Sequence, residues 1–216
     1  MAHTGAQSVG VKICGLTEPV GFDACVEHAA DWVGFVFFQR SPRFVTPEQA
    51  RQLSARTTGG PARVGLFVRP DAAAIADVLK HVRLDVLQLY TSVDEAEWFS
   101  KHFGLPVWLS LPVSNRAELP AARVADRVLI EPKPPADATR PGGNGQQMDW
   151  SMMAGWQPAF PWMLAGGLTP DNVAAAIART GAPAVDVSSG VEEAPGIKSP
   201  AAIARFIRNA QAAITV

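Results

Sequence analysis

Eight short apolar runs, at residues 11–14, 32–37, 63–68, 86–90, 107–111, 128–131, 162–165 and 184–188, punctuate this chain at nearly even intervals, with alanine-rich segments of helical periodicity between them. Several are apolar on successive residues, as parallel strands covered by helices are. Spread over 216 residues, eight strand-plus-helix units average about 27 residues each, the compact end of a (β/α)8 barrel. An open flavodoxin-like sheet needs fewer strands and leaves the last two units unexplained. The chain therefore reads as α/β, a single-domain (β/α)8 TIM barrel over residues 11–216 with an N-terminal extension at residues 1–10. Helix starts are well marked. Thr46-Pro47-Glu48-Gln49 combines a capping threonine, a first-turn proline and a capping-box glutamine, and Thr169-Pro170-Asp171 and Ser199-Pro200 repeat the device.

Nineteen basic residues against twenty acidic ones, with no basic run, leave no electrostatic footprint for nucleic acid or an anionic membrane. Two cysteines, Cys14 and Cys25, make no disulfide framework, and no clustered His/Cys spacing suits a metal. No signal-like or membrane-spanning apolar stretch occurs. These features predict a reduced, metal-free, cytoplasmic protein with a small-molecule partner. They leave the oligomeric state open between monomer and homodimer.

In a barrel of this kind the chemistry sits at the C-terminal ends of the strands, and phosphate commonly lies between the seventh and eighth βα loops. Gly166-Gly167 follows the seventh run, before a helix expected to begin near Thr169, and Ser188-Ser189-Gly190 closes the eighth. Glycines admit an anion close to backbone N–H groups, and serine adds hydroxyl donors. Two such loops on adjacent strands predict a phosphorylated ligand.

On the first run, strand alternation places Lys12 and Cys14 on one face. Cysteine acts as base or nucleophile only as thiolate. At a separation of roughly 7 Å and an effective dielectric of about 20, the Lys12 charge is expected to favour that thiolate by about 2 kcal/mol.

Taken together, Lys12-Ile13-Cys14-Gly15-Leu16-Thr17, Gly34-Phe35-Val36-Phe37, Ser41-Pro42-Arg43-Phe44-Val45, Gly142-Gly143-Asn144-Gly145, Asp149-Trp150, Leu164-Ala165-Gly166-Gly167-Leu168-Thr169-Pro170 and Val185-Asp186-Val187-Ser188-Ser189-Gly190-Val191-Glu192 closely resemble the phosphoribosylanthranilate isomerase family of tryptophan biosynthesis. The resemblance runs from Val11 to Phe206. It implies a (β/α)8 barrel that uses neither cofactor nor metal. The implied reaction is an Amadori rearrangement of N-(5'-phosphoribosyl)anthranilate to 1-(2-carboxyphenylamino)-1-deoxyribulose 5-phosphate. Such a reaction needs an acid to protonate the furanose oxygen and a base to take the C2' proton.

By resemblance Cys14 is the base and Arg43 holds the anthranilate carboxylate, a task that suits a planar guanidinium. Glu131 stands where the family has an aspartate as general acid, and burial at a strand end would raise its pKa toward what an acid needs. Asp186, on one face with Ser188, is read as orienting the substrate amine or hydroxyls, with Lys12 a further contact. The loop holding Gly142, Gly143, Asn144 and Gly145 is read as a mobile lid over the phosphate. Tyr90 and Leu109 also depart from the family, which usually has a histidine and often a lysine there. Those departures keep two alternatives open: a non-catalytic paralogue binding a phosphorylated metabolite, and a bifunctional isomerase acting also in histidine biosynthesis. The latter normally carries an aspartate where Cys14 stands.

Overall fold

All eight apolar runs form strands, and in the computed structural model, which describes residues 8–138 and 140–213, they close into a parallel barrel in sequence order. The strands are β1 (Gly10–Cys14), β2 (Trp32–Val36), β3 (Ala62–Val68), β4 (Val86–Tyr90), β5 (Val107–Val113), β6 (Arg127–Pro132), β7 (Trp162–Leu164) and β8 (Ala184–Val187). Closure is made by β1 and β8, where Lys12 lies opposite Asp186 in register. β1 begins inside the expected extension, and Val9 before it is buried. Residues 1–7 of that extension, and residues 214–216, lie outside the described part.

Four helices follow the first four strands: α1 (Pro19–Glu27), α2 (Pro47–Ser54), α3 (Ala72–His81) and α4 (Val93–Phe103). The Thr46 capping box is complete, with Gln49 N–H donating to the Thr46 hydroxyl and Thr46 N–H donating to the Gln49 side chain. The regular alternation then breaks. Among the described residues, only single 3-10 turns follow β5 and β6, Arg116–Glu118 and Trp150–Met153, so the outer ring there is two helices short of the expected eight units. Leu119, Met148, Trp150, Met153 and Phe160 join the main core there, so large side chains supply the apolar cover that helices give elsewhere.

α5 (Val173–Thr180) starts later than expected, because Thr169 N–H donates to the Asn172 side chain within a turn. α6 (Pro200–Gln211) starts at Ser199-Pro200 as expected, although Ser199 makes no side-chain cap bond. A small hairpin, β9 (Glu192–Ala194) with β10 (Ile197–Lys198), sits between β8 and α6.

Inside the barrel, side chains change character along the axis. Val64, Val86, Trp108, Leu129, Met163 and Ala184 pack into an apolar plug with Trp32. Arg127 lies over the Trp32 and Trp108 rings at 4.7 and 4.9 Å, a cation–π arrangement. Nearer the C-terminal ends, the inward positions become Lys12, Cys14, Gln88, Ser110, Glu131 and Asp186. That polar layer is the floor and wall of the site.

Candidate active site

A cavity of about 830 Å³, open solvent at its mouth included, occupies the C-terminal end of the barrel. Cys14, Arg43, Tyr90, Glu131, Asp186, Ser188 and Ser189 line it together with Gly166, Gly167 and Gly142 to Gly145. Nearly every residue singled out from the sequence thus reaches one space.

Lys12 and Gly190 are the exceptions, and Lys12 lies the deeper. Lys12 is fully buried, two residues before Cys14 on the same face of β1, and is not among the side chains that line the cavity. Its ammonium bonds Asp186 at 2.8 Å. Burial acts to lower the Lys12 pKa, but Asp186 and then Cys14 outweigh it and hold the ammonium above its ordinary value. Gly34 makes this packing feasible: a Cβ there would stand 2.9 Å from Cys14 Sγ and 3.2 Å from Lys12 Nζ.

The expected activation of Cys14 is reversed. Burial pushes its thiol up, and although Lys12 and Lys198 pull the other way, the nearby Asp186 carboxylate adds to the rise. The 2 kcal/mol expectation counted the cation alone and omitted both the desolvation of the thiolate and the neutralising partner of Lys12. Cys25, deep in the core on α1, is pushed by burial to about 12 and remains an inert thiol.

Glu131 lies at the end of β6 with 6% of its surface exposed. Burial is the main cause of a carboxyl pKa pushed up to about 8, with Asp186 adding to it and Tyr90 and Lys12 opposing. Oε1 is buried and has no hydrogen-bond partner among the described residues. At neutral pH the carboxyl is protonated.

Arg43 reaches the cavity already engaged. Its Nε and one terminal nitrogen bond the two Glu192 oxygens at 2.7 and 2.8 Å, and the other terminal nitrogen donates to the Gly143 carbonyl at 3.2 Å. Lys198 completes the cluster from β10, its ammonium bonding Glu192 at 2.7 Å and the Ser188 carbonyl at 2.9 Å. The sequence reading gave Glu192 and Lys198 no role, since both lie on a hairpin far along the chain from Arg43. The Ser188 hydroxyl is also committed, donating to the Cys14 carbonyl at 3.0 Å. It ties β8 to β1 and is not a free donor for an anion.

The glycine turns are packed from outside as well as open to the cavity. A Cβ on Gly166 would fall on the Pro132 ring, and one on Gly167 would stand 2.6 Å from the Gln147 Cα. Both glycines have positive φ, +91° and +63°, which L side chains rarely adopt. Gly190 does not line the cavity but packs against the Leu168 carbonyl, drawing the β7 and β8 loops together. Over the mouth, Gly143 is held by Arg43 and by Arg140, whose terminal nitrogen donates to the Gly143 carbonyl at 3.2 Å.

A protonated carboxyl and a thiol facing one cavity at the mouth of a parallel barrel define an acid–base enzyme of the (β/α)8 class. Comparison with known proteins makes this specific. The family model for N-(5'-phosphoribosyl)anthranilate (PRA) isomerase matches residues 11–209. The isomerase of that name from Paracoccus denitrificans is 53% identical, covering 96% of this chain and 99% of its own, and that of Rhodospirillum rubrum is 49% identical, covering 92% and 95%. Among solved structures, phosphoribosyl anthranilate isomerase from Thermotoga maritima superimposes with a TM-score of 0.83 at 36% identity, covering 94% and 98%. A further isomerase structure, with a TM-score of 0.80 at 35% identity and the same coverage, is a complex with reduced 1-(o-carboxyphenylamino)-1-deoxyribulose 5-phosphate. The chain belongs to the N-(5'-phosphoribosyl)anthranilate isomerase family. It is an isomerase of tryptophan biosynthesis, and these relatives lend no support to the non-catalytic or bifunctional alternatives.

Proposed function

We propose that Glu131 is the general acid and Cys14 the general base of the Amadori rearrangement. The observation that carries this assignment is the unpartnered Oε1 of Glu131, a protonated carboxyl edge buried in the wall of the cavity that Cys14 also lines. Glu131 gives its proton to the furanose oxygen as the C1'–O4' bond breaks, leaving an open-chain iminium. Cys14, as thiolate, takes the C2' proton, and the electron pair of that C–H bond forms C1'=C2' while the iminium π pair returns to nitrogen. Ketonisation then adds one proton to C1' and removes one from the 2'-hydroxyl, so the substrate gains and loses none overall.

Arg43, fixed by Glu192, meets the anthranilate carboxylate. Gly166, Gly167, Ser189 and Gly190 shape the phosphate site, with Ser188 holding that loop to β1, and the loop from Gly142 to Gly145 covers the ligand. Asp186 faces the substrate hydroxyls while its other oxygen anchors Lys12. The substrate is thus a phosphorylated glycosylamine, sharing its carboxyphenylamino and phosphate groups with the ligand in the solved relative. The enzyme works in the cytoplasm as a monomer or homodimer; one relative is described as monomers generated from a dimeric isomerase of Thermotoga maritima.

The test is a fluorescence assay of N-(5'-phosphoribosyl)anthranilate consumption. Wild-type protein turns over, while Cys14→Ser and Glu131→Gln each lose at least about 10²-fold in kcat, the usual scale for a lost acid or base. Wild-type rates in either variant would remove that residue from its role.

A further inference from the structure

The inner wall from β4 to β6 carries polar groups that the acid and base roles leave unused. Gln88 and Ser110 are 2% and 3% exposed, beside the apolar plug. Buried polar groups are costly unless bonded to one another. Gln88 Nε2 donates to Ser110 Oγ at 2.9 Å. Because Oγ accepts there, the Ser110 proton remains to be donated onward.

Tyr90 is next on the same face of β4, two residues beyond Gln88, and lies one register step past the Leu89–Leu109 pair, beside Ser110 of β5. The Tyr90 hydroxyl and Glu131 Oε2 converge beneath Gly142: a Cβ there would fall on Tyr90 Oη and stand 2.8 Å from Oε2. One edge of the acid therefore faces Tyr90, and the other, Oε1, has no partner among the described residues.

We propose that Gln88, Ser110 and Tyr90 form a one-directional hydrogen-bond chain ending on Glu131, in which Tyr90 is the positioning residue that turns Oε1 toward the substrate ring oxygen. The proposal rests on the reading of Glu131 as the acid. Each donor in the chain points at the carboxyl: the Gln88 amide to Ser110 Oγ, the Ser110 hydroxyl to Tyr90 Oη, the Tyr90 hydroxyl to Oε2. Aligned donors stabilise the carboxylate that appears when Glu131 gives up its proton, with no reorientation during the reaction. Burial and the neighbouring Glu131 hold the Tyr90 hydroxyl well above its ordinary pKa, so it stays protonated and remains a donor.

The groups that face Glu131 are Tyr90 from β4, Lys12 from β1 and Asp186 from β8, with Cys14 beyond Tyr90. Of these, Tyr90 and Lys12 favour the carboxylate and Asp186 opposes it. Removing the Tyr90 hydroxyl therefore moves the acid upward.

The experiment follows the Glu131 carboxyl by 13C NMR in the full chain labelled at glutamate Cδ, the resonance being assigned by its loss in Glu131→Gln. In Tyr90→Phe the titration midpoint rises by about one pH unit, and kcat falls about tenfold with KM nearly unchanged. Ser110→Ala gives a smaller shift in the same direction, and decides the matter should Tyr90→Phe not fold. An unmoved midpoint with wild-type kcat overturns the chain while leaving the acid in place, provided Glu131→Gln is inactive. Full activity in Glu131→Gln instead overturns the assignment of the acid itself.

Discussion

Glu192 grips Arg43 along two edges at once, Nε and one terminal nitrogen at 2.7 and 2.8 Å, with both side chains 5% exposed. The pairing removes two of the guanidinium's donors from any substrate. It also fixes the plane of the guanidinium, whose one remaining nitrogen donates to the Gly143 carbonyl, so the group proposed to bind the carboxylate is aimed before the substrate arrives.

Breaking that grip leaves two buried cations, Arg43 and Lys198, without their common anion. Glu192→Gln is expected to lower stability by about 3 kcal/mol, the scale for removing one member of a buried pair, and to raise KM several-fold. Urea unfolding and steady-state kinetics read both effects. Burial acts to raise the Glu192 carboxyl, but Arg43 and Lys198 outweigh it and hold it below its ordinary 4.5. Its contribution is therefore full above pH 4.5 and is lost as pH falls through the depressed value. Acid unfolding of Glu192→Gln should consequently be less steep than that of wild type over this range.

At pH 7 both groups proposed for catalysis carry protons, since the Glu131 carboxyl is pushed up to about 8 and burial holds the Cys14 thiol above its ordinary value. The working form has one proton fewer, with Glu131 protonated and Cys14 ionised. Activity as kcat/KM is therefore expected to rise with pH, about tenfold per unit, and to level off near pH 8. A profile already flat from pH 6 to 8 would contradict this distribution of protons.

Gly34→Ala places a methyl against Cys14 and Lys12. Overpacking of this kind costs about 1–3 kcal/mol. Because the contact is with the proposed base, kcat should drop at least about tenfold while KM changes little. Chemical denaturation alongside kinetics separates the two effects.

Ser189 lines the cavity with its hydroxyl near Gly145. Ser189→Asp puts a like charge where the phosphate is proposed to sit, so KM should rise by about 10² or more with the melting temperature preserved. Gly167→Asp is a poorer probe, because any side chain there also meets the Gln146–Gln147 backbone.

The run around Phe35 announced its strand because it is apolar on both faces, and a closed barrel buries both, while the runs at Val11 and Leu87 keep one fully apolar face and turn Lys12 and Gln88 inward. Residues between β5 and β7 were harder to read: a 3-10 turn carries no long period, and the cover there comes from Trp150, Met153 and Phe160. Within the site, Cys14 and Glu131 were legible from their places at strand ends. Their ionisation was not, because a pKa depends on burial and on partners such as Asp186, 172 positions from Cys14 and opposite it only after closure. Glu192 escaped notice for the same reason, being 149 positions from Arg43. Tyr90 and Glu131 are both departures from the family pattern, and folding places one against the other.

The Pro132 ring, against which Gly166 is packed, belongs to the residue immediately after Glu131. The turn proposed to grip the phosphate therefore shares a surface with the segment that carries the proposed proton donor. A group that undergoes no chemistry becomes a lever on the one that does, across a single peptide unit. Binding energy gathered at such a distal handle is available for alignment at the reacting bond, so a substrate stripped of its phosphate would forfeit turnover as well as affinity.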